Sequence, residues 1–246
     1  MLLFVALFLP LYPLSAVQNL ILMRLRTPVA RAALLLLWPQ IGVALLYVLR
    51  LEIPAFVVIW ALLSAAFYAL RLLTVRDLRL WASLLSSSAL ALTWGLVAHG
   101  ADIAQLSLFV IWLSLPAALL VLLTGPVVRR LGAAYAGLYA GIVEHQPRLA
   151  VILTAVVLCT VATPPFPGFF AMLDLLRDLS SAAALGVLGI WLIWGWSATR
   201  LLQGFVVASS SREIDAPDLG RGGMATYVVA LFIFAAASLH FTGGGL

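Results

Sequence analysis

The run AVILTAVVLCTVATPPFPGFF, Ala150–Phe170, carries the two properties that decide how this chain folds. It is apolar over a length that crosses a bilayer, for which a helix needs about 20 predominantly apolar residues. It is also interrupted near its end by Pro164, Pro165 and Pro167, followed by Gly168. Three prolines remove three amide donors and cannot continue a regular helix. Glycine permits a close backbone approach or an unusual dihedral. Irregular backbone at membrane depth is tolerated only where protein or a water-filled cavity covers it. Two readings of this break follow: a half-helix lining an ion path, or a helix that ends near the membrane surface before a tight turn.

Outward from this run, further apolar segments meet the same length rule. They are Met1–Met23, Val29–Leu49, Ile53–Leu73, Trp81–Val97, Ala104–Leu123 and Ser181–Gln203, with a shorter one at Met224–His240. Hydrophobic residues make up 65% of the 246 and charged residues 9%, against roughly a quarter charged in a soluble domain. The expected fold is all-α: a polytopic transmembrane helical bundle of seven or eight spans with a Pro-interrupted helix, one transmembrane domain over residues 1–246. A barrel does not fit, because the apolar runs are continuous and lack the alternation of membrane strands. Met1–Met23 lacks a basic start and an obvious cleavage site, and Met23-Arg24-Leu25-Arg26 suits the end of a retained helix rather than a cleaved signal.

All 14 basic residues are arginine. Twelve fall in or beside the odd-numbered connections, and only Arg50 and Arg177 in the even-numbered ones. That bias predicts odd connections on the cytoplasmic side and, with eight spans, both termini on the other side. The net charge of +5 therefore reflects topology, and no clustered arginine–aromatic pattern points to nucleic acid. The expected location is a membrane, most simply a bacterial inner membrane, with lipid around the bundle.

The polar residues left over are few. Cys159 reads as a small buried hydrophobe, and one cysteine allows no disulfide framework. His99, His145 and His240 lie at span ends or in connections, without a second ligand a helical turn away, so no metal site is expected. Of Ser83, Ser86, Ser87 and Ser88, the first three share one side of the helix; the group serves either small-residue packing or a short water chain. The connection Gly125–Pro147 is too long for a simple turn. Within it Gly132–Ile142 reads as an interfacial helix presenting Tyr135 and Tyr139, and Glu144 and His145 lie beside Arg148. Asp174, Arg177 and Asp178 have the spacing of local helical ion pairs. Trp191, Trp194 and Trp196 read as lipid or partner contacts, and Ser209–Gly223 as a loop. There is no P-loop, dinucleotide fingerprint or nucleophile elbow. Catalysis by this chain alone, and any cofactor, is not expected.

The order of these features resembles the antiporter-like, proton-conducting subunits of respiratory complex I and of Mrp-type cation antiporters. The residues that carry the resemblance are Arg76-Asp77-Leu78-Arg79-Leu80-Trp81-Ala82-Ser83 continuing to Ser87, then Leu113–Gly125, Gly132–Pro147 and Thr163–Phe170. They cover a family-like core of about residues 55–205. The resemblance implies buried proton-exchanging side chains at positions where this chain has Leu113, Ala117, Ser88 and Met172; only Arg79 keeps a positive charge at a matching site. Proton relays need groups that gain and lose protons inside the membrane, and arginine does not. The implied candidate ion path is reduced to Arg79, Ser83, Ser87, Glu144, His145 and Asp174, beside the helix break Pro164, Pro165, Pro167 and Gly168. The expected role is that of an antiporter-like subunit of a multi-subunit ion-translocating or redox-linked complex, mainly structural, with a degenerate relay. The rival readings are an active proton or cation transporting subunit, and a membrane subunit coupling a proton gradient to an inorganic-carbon or redox enzyme. Expected partners are other integral membrane subunits, with a peripheral enzyme subunit under the last reading.

Overall fold

A computed structural model describes all residues except 52, 139, 140, 208–215 and 243–246, and all side chains but those and 239–242. Among the described residues the regular structure is helical: α1 Leu2–Phe8, α2 Ser15–Arg24, α3 Pro28–Leu49, α4 Phe56–Leu72, α5 Leu78–Ala91, α6 Thr93–Ala98, α7 Ile103–Leu131, α8 Ile142–His145, α9 Pro147–Thr160, α10 Pro167–Asp178, α11 Ser181–Leu202 and α12 Arg221–Thr242. Five stretches are long and apolar enough to cross a membrane: α3, α5 with α6, α7, α11 with the π-turn that follows it, and α12. Helices α4 and α9 are shorter and apolar.

The helix starts follow local chemistry. Thr27 accepts from the Ala30 amide at 3.2 Å ahead of Pro28, which needs no amide partner at the first helical position. Asp77 accepts from the Arg79 and Leu80 amides at 2.8 and 3.1 Å, and Asp102 from the Gln105 amide at 2.7 Å. The bundle is assembled around α5 and α7. Helix α3 packs along α7, α4 along α5, and α11 against α4. Of the apolar window in α5–α6, 89% is buried, against 17% in α12, so the serine-bearing helix is the axis and α12 the periphery.

Four expectations need correction. Met1–Met23 is not one continuous helix: Pro10 and Pro13 divide it into α1 and α2. Helix α7 does not end at Leu123; it runs 29 residues to Leu131 and is stopped by Gly132 at φ 76°. The Gly132–Ile142 segment is no interfacial helix. Gly132, Gly137 and Gly141 all have positive φ, which interrupts right-handed helix, and Tyr139 lies outside the described residues. Residues 132–138 instead form a strap: the Leu78 amide donates to Ala134 O at 2.9 Å, the Ala136 amide to Arg76 O at 2.8 Å, and the Gly137 amide to Gly204 O at 2.9 Å. Trp194 is fully buried rather than a lipid or partner contact. Of the predicted loop Ser209–Gly223, residues 216–223 are described, and the last three of them already belong to α12, which begins at Arg221. There Asp218 accepts from the Arg148 and Leu149 amides at 3.0 and 3.2 Å, capping α9 from a distant part of the chain.

Candidate functional site

Two places gather polar chemistry inside the bundle. The first is a seam between α2, α4 and α5. On α2, Ser15, Gln18 and Asn19 are spaced three and four apart, so they share one helix face. Ser15 and Tyr68 on α4 share a short hydrogen bond. The Asn19 Oδ1 accepts from Ser83 Oγ, at short range, and from Ser87 Oγ at 3.1 Å. Ser88 Oγ donates to Ala65 O at 2.7 Å and accepts from the Trp194 indole at 2.9 Å. Four serines on α5 are thus buried, and three have partners on other helices.

Several polar atoms along the seam have no protein partner although buried: both amide atoms of Gln18, Ser86 Oγ, Trp81 Nε1 and Arg79 Nε. Buried polar groups are normally paired with protein or ordered water, and these atoms are the seam's exceptions. At the seam's basic end Arg79 pairs with Asp77 at 3.3 Å. Arg31, 9% exposed, donates from Nε to Leu22 O at 3.1 Å in the last turn of α2, where a cation suits the helix dipole. Arg31 is the one charged residue that is buried among the described residues.

The second place is the pair of helix breaks. At the first, residues 9–14, three indoles donate to carbonyls at or beside the break: Trp38 to Leu7 O at 3.0 Å, Trp94 to Leu9 O at 3.2 Å and Trp60 to Tyr12 O at 2.7 Å. Ser64 Oγ accepts from the Tyr12 amide at 3.0 Å. Gly42 lets α3 come close; a Cβ there would lie 2.7 Å from Leu9 Cγ. At the second break, Trp191 donates to Val161 O at 2.9 Å, Ser238 to Pro165 O at 2.8 Å and Thr163 Oγ1 to Leu158 O at 2.9 Å. Gly168 lies against Ala162 and the Trp112 carbonyl.

The sequence-derived candidates do not form one constellation. Ser83 and Ser87 meet on Asn19, and Arg79 sits at the seam's end. Glu144 and His145 are exposed on the four-residue α8. Asp174 is exposed on α10 and pairs with Arg177 at 3.3 Å, whose side chain is also exposed. Pro164, Pro165, Pro167 and Gly168 form the second break, with Pro167 and Gly168 opening α10. Leu113, Ala117 and Met172 are buried in the apolar core. Sequence reading missed Asn19, Gln18, Tyr68 and the first break. The usable signal was two prolines inside the first apolar run followed by an amide pair.

Among the described residues no group of three His, Cys, Asp or Glu side chains is placed to hold a metal.

No family model matches the chain, and no curated protein matches it. Its fold does match solved structures. A chain of respiratory complex I from Thermus thermophilus with bound NADH aligns at TM-score 0.80 and 21% identity, over 94% of this chain and 52% of that one. A chain of the Mrp complex from Dietzia sp. DQ12-45-1b aligns at 0.82 and 16%, over 97% and 55%. A chain of the membrane-bound sulfane sulfur reductase, an archaeal respiratory membrane complex, aligns at 0.80 and 15%, over 97% and 51%. The protein thus spans about half the length of the solved chains it matches, and at these identities the likeness is one of fold. The resemblance to complex I and Mrp-type subunits read from the motifs holds at that level. Together with the apolar helices, it makes this an integral membrane protein.

Proposed function

We propose that the chain is an antiporter-like membrane subunit of a multi-subunit ion-translocating or redox-linked complex, acting chiefly as a structural element whose proton relay is degenerate. In this reading it is one transmembrane domain of eight crossings: α1–α2, α3, α4, α5–α6, α7, α9–α10, α11 and α12, with both termini on the non-cytoplasmic side. The observation that carries the structural role is the chemistry of the buried seam. Its members are hydroxyls, amides and indoles, closed at one end by the guanidinium groups of Arg79 and Arg31, which do not release protons, while every described Asp, Glu and His side chain is at least partly exposed. A serine or an asparagine holds water but does not store a proton near neutral pH, and tyrosine ionises only near pH 10. Partners are then other integral membrane subunits, the expectation for a fold found in chains of membrane complexes.

A second reading is favoured by the unpartnered atoms of Gln18, Ser86 and Trp81. Water held there, together with Ser83 and Ser87, forms part of a path completed by a neighbour's titratable groups.

Reconstitution tests the two. The chain alone in proteoliposomes is expected to carry no proton flux by a pH-sensitive dye. In the complex copurified with its partners, Glu144→Gln with His145→Gln is expected to leave flux unchanged. Flux by the isolated chain that is lost in that double variant would reverse the assignment. Under the second reading, Asn19→Leu lowers flux of the complex while leaving its assembly intact.

A further inference from the structure

The outward face of α11 holds an open trough of about 470 Å³ lined by Leu188, Trp191, Leu192, Gly195, Trp196 and Thr199. Leu192 and Trp196 are 75% and 66% exposed. Gly195 has no neighbouring atom within 4 Å of where a Cβ would be, so the floor of the trough is open. From Leu188 to Thr199 is eleven residue steps, or about 16 Å along a helix. That is close to half of a hydrocarbon layer roughly 30 Å thick, the depth of one leaflet.

One end of the trough is cationic. Trp196 and Arg200 are four apart and share a helix face. Arg200 is exposed, and its Nη1 donates to Leu73 O at 3.0 Å, which brings it to the end of α4 that carries Arg71. Arg71 and Arg76 are exposed as well. None of the three has a carboxylate within ion-pair distance among the described residues, whose pairs are Arg79–Asp77 and Arg177–Asp174. An apolar channel about one leaflet deep that ends beside Arg200, at the end of α4 where the Arg71 guanidinium lies 6.0 Å over the Phe67 ring, with no carboxylate paired to either among the described residues, fits an anionic phospholipid in charge and in length.

We propose that this face is a specific site for an anionic phospholipid, its acyl chain lying between Trp191 and Trp196 and its phosphate at Arg200 and Arg71. Guanidinium groups match phosphate oxygens in geometry and stay charged. The arginines give headgroup selectivity, and the trough gives retention.

The full chain is incorporated into nanodiscs of phosphatidylglycerol and phosphatidylcholine with the same acyl chains, then extracted into detergent. Retained lipid is counted by native mass spectrometry. The wild type is expected to retain phosphatidylglycerol preferentially, by about fivefold per engaged arginine. Arg71→Gln with Arg200→Gln removes that preference. Gly195→Leu, whose Cβ would meet no atom within 4 Å, puts a branched side chain into the trough and lowers retention of both lipids with the arginines intact, so the site remains testable if the double variant does not fold. Equal retention of the two lipids by the wild type overturns the proposal. So does a trough-filled variant that holds lipid as the wild type does, or a copurified complex in which a partner helix excludes lipid from this face.

Discussion

The chain breaks a helix at residues 9–14 and again between α9 and α10, and it meets the freed carbonyls in a similar way. Indole N–H groups from neighbouring helices donate to Leu7, Leu9 and Tyr12 at the first break and to Val161 at the second. The half-helices that follow differ. Helix α2 turns Ser15, Gln18 and Asn19 inward, with Ser15 on Tyr68 of α4 and Asn19 on the serine face of α5. Helix α10 turns Met172 and Leu175 inward and leaves Asp174, Arg177 and Asp178 exposed. A break therefore does not by itself make a polar path. What matters is which side of the following half-helix faces the core, and only the first break is polar on that side.

If the first break is the polar one, its largest sensitivity lies at the amide where α2 meets α5. Asn19→Leu removes the acceptor of two serine hydroxyls and leaves both inside the bundle. Each orphaned buried group costs about 1–3 kcal/mol, so the loss is expected at about 2–4 kcal/mol once some rearrangement is allowed. Unfolding in mixed micelles of rising dodecyl sulfate fraction reads it directly. Met172→Ala at the second half-helix also destabilises, but by opening an apolar cavity, at about 2–5 kcal/mol. The two variants separate by rescue. Asn19→Gln keeps an acceptor and recovers part of the loss, and Met172→Leu recovers most of it.

The glycines give the next contrast. Gly42→Ala places a Cβ 2.7 Å from Leu9 Cγ and 3.2 Å from the Leu9 amide nitrogen, so backbone must shift. The expected cost is about 1–3 kcal/mol. Gly168→Ala meets Ala162 Cβ at 3.3 Å and the Trp112 carbonyl at 3.5 Å, close to ordinary contact, and is expected to cost under about 1 kcal/mol. Equal costs would mean that the two breaks are packed with equal tightness.

Loss of the indole donors is expected to follow the same order with smaller steps. Trp94→Phe leaves the Leu9 carbonyl unpaired in a fully buried place, at about 1–3 kcal/mol. Trp191 is itself partly exposed, but its acceptor belongs to Val161, 2% exposed, so Trp191→Phe is expected to cost about 1–2 kcal/mol, toward the lower end of the same range. The same micelle titration ranks them.

These contrasts also explain what was legible in the sequence. The all-helical membrane fold was, because composition and run length are properties of the chain itself. So was the second break, where Pro164, Pro165, Pro167 and Gly168 stand together. The first break was not: Pro10 and Pro13 are separated by apolar residues, and hydropathy averaged over a window does not register them. The inward role of Asn19 was hidden for a different reason. A lone asparagine in an apolar run gains its meaning from Ser83 and Ser87, 64 and 68 residues later. The segment Gly132–Ile142 was misread because tyrosine spacing suggested a helix, while its three positive-φ glycines decided the backbone.

The smallest effect is expected at Asp174, and it tests the comparison most sharply. Sequence reading kept this acid on the candidate ion path although its spacing to Arg177 has the form of a local ion pair. Its side chain is 61% exposed and its partner Arg177 78% exposed, with 3.3 Å between them. Ion pairs so open to solvent contribute about 0–1 kcal/mol, because water screens the attraction and two long side chains lose freedom. Asp174→Asn is therefore expected to change unfolding by under about 0.5 kcal/mol. It is also expected to leave proton flux through the reconstituted complex unaltered, since the apolar inner side of α10 separates Asp174 from the polar seam. A flux loss in Asp174→Asn with stability unchanged would make the second break the functional one, and would require that acid to act through a partner rather than through this chain's core.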